Sequence, residues 1–159
     1  MNVFLSCTKE KRSSRCKAKE MYSASALFSK AYEYTQTLNP DKIYILSAKH
    51  HLLPLNKEIN PYNQTLNDFS EEKRKEWAEE VLKQMKAANI DFNAKTYFFC
   101  GENYIKHLKE HFSNYESVFD KKQIGEILHY LDKKIGKVEE SLTEYLTYQN
   151  EDDVENYIE

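Results

Sequence analysis

The sequence predicts an α/β fold: a three-layer sandwich with a small, mostly parallel sheet of three to four strands and a long C-terminal helix. Short apolar runs, NVFLS (2–6), KIYILS (42–47) and KTYFFCG (95–101), alternate with stretches of helical periodicity. Only 3 Gly and 3 Pro occur, too few for an all-β chain built on tight turns. With 159 residues, 40% of them hydrophobic and 13% aromatic, the chain is too apolar for disorder and long enough for one core without a metal or disulfide staple.

The first strand ends in small polar residues, and the polar, basic stretch from Cys7 to Met21 reads as a loop. A helix follows, with Leu27, Phe28, Ala31, Tyr32 and Tyr34 at mostly helical spacing and Ser23 or Ser25 as its cap. Asn39-Pro40-Asp41 stops it before the second strand. The segment after Ser47 reads as a long loop containing Pro54 and Pro61. Asp68 or Ser70 caps the next helix, whose apolar face is Trp77, Val81, Leu82 and Met85. The third strand ends at Gly101, followed by a helix over 102–112 and a short strand over 115–119.

From Ile124 the apolar residues step through Leu128, Leu131, Ile135, Val138, Leu142 and Tyr145 in a heptad pattern interrupted by Gly136. The stripe suits packing onto the chain's own sheet or dimerisation through the C-terminal helix. Residues 1–138 thus form the α/β domain, and 139–159 the acidic end of the helix and a tail.

The formal net charge of −3 conceals an asymmetry. Residues 139–159 carry eight carboxylates and no Lys or Arg, while the first loop gathers Lys9, Lys11, Arg12, Arg15, Lys17 and Lys19. A basic body with an acidic end suits a polyanionic or phosphorylated ligand, or a solvated loop with a solubilising tail. The tail either competes as a tethered polyanion or docks Val154, Tyr157 and Ile158 on the core. No apolar run reaches membrane-spanning length, and the N-terminal residues lack a secretory pattern. Three cysteines without a CxxC pair read as reduced thiols, and the expected location is the cytoplasm.

In such sheets, ligands bind outside the carboxyl ends of the strands. Three segments therefore form the candidate site: Ser6, Cys7, Lys9 and Lys11 after the first strand; Ser47, Lys49 and His50 after the second, with Tyr62 and Thr65 further along; and Gly101, Glu102 and Tyr104 after the third. Lysines and hydroxyls hold phosphate, and His donates or accepts protons near neutrality. Tyr62 stacks on a base or closes its loop onto the core. Neither GxxxxGK[ST] nor GxGxxG is present, which argues against an ordinary ATPase or nicotinamide dehydrogenase. His107 and His111 are spaced as a metal pair but lack an evident third ligand, so no metal and no cofactor are expected. Cys7 is either a thiolate paired with His50 or a buried thiol.

FLSCTKEK, MYSASALFSKAY, YILSAKHHLLPL, INPYNQTL, FFCGENYIKHL and QIGEILHYL together resemble an uncharacterised bacterial and phage domain family, over about residues 3–131. That family is distantly similar to the YaaA peroxide-stress proteins and to the uracil-glycosylase-like domain of archaeal tRNA-guanine transglycosylases. The resemblance implies an α/β fold and a link to nucleic acid or nucleobases. Its motif positions here include Ser6, Cys7, Lys9, Lys11, Tyr22, Ser47, Lys49, His50, Pro61, Tyr62, Thr65, Gly101 and Tyr104. His51 stands where the family pattern has Gly.

Two functions follow. One is an N-glycosylase acting on a modified base in DNA. His50, Lys49 and Glu102 would be catalytic, Tyr22 or Tyr62 would stack on the base, and Lys9 and Lys11 would hold flanking phosphates. The other is a non-catalytic module that binds a nucleotide or DNA, favoured by the lack of a carboxylate directly after the first two strands.

Overall fold

The computed structural model describes residues 1–120, 122–136 and 153–158. The central strand β1 (Asn2–Ser6) is buried along its whole length. It pairs in parallel with β3 (Lys42–Ser47) on one side and β6 (Thr96–Phe99) on the other. β7 (Tyr115–Ser117) extends the sheet in parallel beyond β6, and β4 (His51–Leu53) turns back antiparallel on β3. The sheet therefore has five strands in the order β4-β3-β1-β6-β7, one or two more than expected. The strand β4 lies inside the segment read as a loop. A second, two-stranded sheet pairs β2 (Cys16–Lys17) with β5 (Glu58–Ile59) and ties the basic loop to that same segment.

Between β1 and β3 run the short α1 (Ala18–Met21) and α2 (Ala26–Leu38); between β3 and β6 runs α3 (Glu71–Ala87). These crossovers travel in opposite directions across the sheet, so right-handed connections set α2 and α3 on opposite faces. α2 packs on β1 and on α5 (Ile124–Ile135), whereas α3 packs on β4 and on the short α4 (Glu102–Ile105). The three-layer sandwich follows. Its topological switch point lies at the carboxyl end of β1, where the chain leaves towards one face while β3 and β6 lead to the other.

The helix limits follow local chemistry. Ser25 caps α2 by accepting from the Phe28 amide at 3.3 Å, and Ser70 caps α3 by accepting from the Lys73 amide at 3.2 Å. Asn39, in the left-handed region, closes α2 ahead of Pro40. The helix expected over 102–112 breaks into α4 and a 3-10 turn at Lys109–His111, and both Leu108 and Phe112 reach the core. Gly136, expected as a weak point inside a longer helix, instead ends α5 with φ of 80°. Ile124, Leu128 and Leu131 of the heptad stripe are buried, and α5 packs against α2. Val138, Leu142 and Tyr145, with the continuation of the stripe, lie outside the described residues.

Inside the α2–α5 interface, Lys30 Nζ meets Asp132 Oδ1 at 2.5 Å, with both side chains buried. The described part of the acidic end, a 3-10 turn at Val154–Tyr157 with Ile158 after it, docks on the body. Val154 and Ile158 belong to the core. Antiparallel bridges join Thr8 to Ile158 and Gln123 to Asp153. Among the described residues no helix is long and apolar enough to cross a membrane.

Candidate functional site

The turn from β3 into β4 brings Ser47 and His50 together. Ser47 Oγ accepts from the His50 amide at 3.0 Å and shares a hydrogen bond of 2.8 Å with the Tyr62 hydroxyl. The Tyr62 hydroxyl also meets that of Tyr22 at 2.5 Å. The His50 ring stands edge-on to Tyr62 at 5.3 Å. Lys11 Nζ lies 4.6 Å from the centre of the Tyr62 ring, and Lys49 Nζ lies 6.0 Å from it. Tyr62 is thus the hub on which residues from the first and second strand ends converge.

Burial raises the Tyr62 phenol far above its ordinary range, aided by the nearby Cys7 and Tyr22 groups. It stays a neutral hydrogen-bonding group. His50 is held below its ordinary value by burial, then by the charges of Lys57 and Lys49. Its imidazole is therefore neutral at pH 7. His50 Nε2 is buried with no hydrogen-bond partner among the described residues.

A second set joins the first through Cys7. The buried Cys7 thiol donates to the Tyr104 hydroxyl at 3.5 Å. Burial raises the Tyr104 phenol, while hydrogen bonds from the Leu66 backbone and Thr65 oppose the shift. Thr65 also caps the 3-10 turn at Leu66–Asp68 by accepting from the Asn67 amide. Tyr104 meets Trp77 edge-on at 5.6 Å, and the Trp77 indole N–H donates to the Ser47 carbonyl at 3.0 Å.

At the switch point, Ser6 Oγ accepts from the Gly101 amide at 3.3 Å, joining the ends of β1 and β6. Glu155 approaches Gly101 closely. A Cβ on Gly101 would collide with that carboxylate, whose Cδ would stand 3.0 Å away. Glu155 Oε1 accepts from the Glu102 amide at 2.9 Å, and burial raises the Glu155 carboxyl above its ordinary value. Sequence reasoning missed Glu155. Its signal is the group of apolar residues Val154, Tyr157 and Ile158 within an acidic run.

The expected residues do not all share one depression. Lys9 lines a separate cleft of about 240 Å3 with Ser25, Ile124 and Tyr157. The Glu102 carboxylate is half-exposed and pairs with Lys109 at 2.8 Å. Tyr22 is fully buried, so its ring is no open stacking platform. His107 bonds Glu71 at 2.7 Å, while His111 faces Glu110. Among the described residues, no group of three or more His, Cys, Asp or Glu is arranged to hold a metal ion.

Fold and site together define a doubly wound α/β domain with a basic, tyrosine-centred cluster at its strand ends. The chain belongs to the family of unknown function DUF6884, which it matches over residues 3–133. That span contains the whole Tyr62 cluster and excludes Glu155. Among curated proteins and solved structures nothing matches the chain.

Proposed function

We propose that the protein binds a nucleotide or a nucleic-acid strand through the Tyr62 cluster, with Lys11 and Lys49 facing phosphate and His50 bonding the ligand. The observation that carries this reading is His50 Nε2, a buried polar atom without a partner beside a ring flanked by two lysines. A neutral imidazole offers one donor or acceptor to a bound group, and lysines supply the point charges that hold phosphate. The resemblance read from the sequence motifs, of the family to the YaaA proteins and to the uracil-glycosylase-like domain, implies the same ligand class.

Binding is favoured over N-glycosidic cleavage because Glu102, Glu58 and Glu155, three carboxylates near the strand ends, each contact another group. Glu102 pairs with Lys109, Glu58 lies near Arg15, and Glu155 is bound to the Glu102 amide. Hydrolysis of a glycosidic bond needs a carboxylate or an equivalent charge facing the sugar. Fluorescence anisotropy with a labelled single-stranded oligonucleotide tests the reading. Lys49→Ala and Lys11→Ala each weaken binding, whereas Lys95→Ala, at the opposite end of the sheet, does not. Equal binding by all three variants contradicts it, and abasic sites released from DNA carrying modified bases would establish the glycosylase instead.

A further inference from the structure

We propose that the cleft between the β3–β4 turn and α3 seats a nucleobase, with His51 as the stacking residue and Lys49 and Lys73 facing the phosphate of the same nucleotide. The inference rests on the nucleotide reading of the adjoining Tyr62 cluster, with which it shares Lys49, and adds a defined seat for the base. The cleft holds about 330 Å3, and its lining includes Lys49, His51, Gln64, Lys73, Glu76 and Trp77. That size and mixture of aromatic and polar groups suit a small planar ligand.

The backbone singles out His51. Three non-glycine residues among those described have positive φ: Asn39, Asn89 and His51. The two asparagines follow helix ends, where that conformation is ordinary for Asn. His51, with φ of 60°, begins a β-strand. Glycine would make this turn without the Cβ penalty, so the imidazole is retained at a local cost in backbone energy. Strain of this kind collects at ligand-binding positions.

The strain places the His51 ring nearly parallel to Trp77, 21° between planes and 6.4 Å between centres. The indole is fixed from behind by its bond to the Ser47 carbonyl and by Tyr104. Burial keeps the imidazole below its ordinary value, against the opposing pull of Glu80, so a neutral flat ring faces the cleft at pH 7. Gln64 and Glu76 offer an amide and a carboxylate to the edge of a base. Lys49 and Lys73 supply the cations.

Trp77 is the one tryptophan of the chain and lines the cleft, so its fluorescence reports occupancy directly. The four deoxynucleoside monophosphates are titrated into the wild type, His51→Gly and His51→Phe, beside thermal melts. At least one quenches Trp77 saturably in the wild type. His51→Gly binds it about fivefold or more weakly, the loss of one stacking contact, while melting at an equal or higher temperature. His51→Phe, which keeps a flat ring, retains binding. Equal affinity in His51→Gly, or a lower melting temperature in that variant, overturns the proposal. Absence of quenching by every mononucleotide, in a protein whose oligonucleotide binding still falls with Lys49→Ala, overturns the cleft and leaves the Tyr62 reading standing. Absence of both kinds of binding overturns both.

Discussion

The hydroxyl groups of Tyr22 and Tyr62 lie 2.5 Å apart across a sequence separation of forty residues, and the Tyr62 hydroxyl also reaches Ser47 Oγ at 2.8 Å. One phenol therefore joins the first strand-end loop to the second. Tyr62→Phe removes both of these bonds from the fully buried Tyr22 and Ser47. The expected loss of stability is about 1–3 kcal/mol, read by urea denaturation, with no change in far-ultraviolet dichroism. An unchanged denaturation midpoint would show that the triad contributes nothing to the fold.

The folded value of His50 lies below its ordinary 6.5 because burial and the charges of Lys57 and Lys49 disfavour the cation. Its stabilising contribution is present above 6.5 and is lost as pH falls below it, because the unfolded chain takes up the proton more readily. The wild-type melting temperature thus declines as the pH falls below 6.5, and that of His50→Gln, which cannot charge, declines less steeply. His51 shifts in the same direction, so part of the slope survives in the variant. Identical slopes in the two proteins would contradict the assignment to His50.

Lys30 and Asp132 form an ion pair buried between α2 and α5. Lys30→Met leaves an uncompensated carboxylate in the core and is expected to cost about 3–5 kcal/mol. The double substitution Lys30→Met with Asp132→Leu recovers most of that loss, because paired charges gain little over apolar packing. A double-mutant cycle by chemical denaturation reads the coupling, and additive losses would count against it.

Glu155 occupies the space beside Gly101 that a side chain would need. Gly101→Ala therefore lowers the melting temperature in the wild type and less so in a Glu155→Ala background, where the space is open. The backbone at Gly101 has φ of −70°, an ordinary conformation for alanine, so the effect reports contact with Glu155. Ile158→Ala, at a fully buried position of the same segment, is expected to cost about 2–5 kcal/mol. Equal effects of Gly101→Ala in both backgrounds would separate the segment from the switch point.

The strand-end geometry was legible because apolar runs ending at Ser6, Ser47 and Gly101 fix where strands stop, and the topology rule selects those stops. The cap at Ser70 and the buried face of Trp77, Val81 and Met85 likewise follow local chemistry. The strand β4 was hidden because its first residue adopts a conformation expected of glycine and a proline follows directly after its last. Lys9 and Lys11 are two residues apart, yet they line separate sites because the chain turns between them, a separation invisible to composition. Trp77 lies on the apolar face of its helix, so its second role beside His51 appears only when β4 is in place. Val154, Tyr157 and Ile158 signal the docking of the acidic end, but which of the neighbouring carboxylates meets Gly101 is set only by the docked geometry.

The salt dependence of oligonucleotide binding tests the central claim most directly. Lys11 Nζ lies 4.6 Å and Lys49 Nζ 6.0 Å from the centre of the Tyr62 ring, and each is assigned one phosphate. The slope of log K against log salt concentration should flatten by about 0.7 for a single strand with each lysine replaced by alanine, and by about twice that in the double variant. Slopes that stay at the wild-type value in all three variants would contradict phosphate binding at this site.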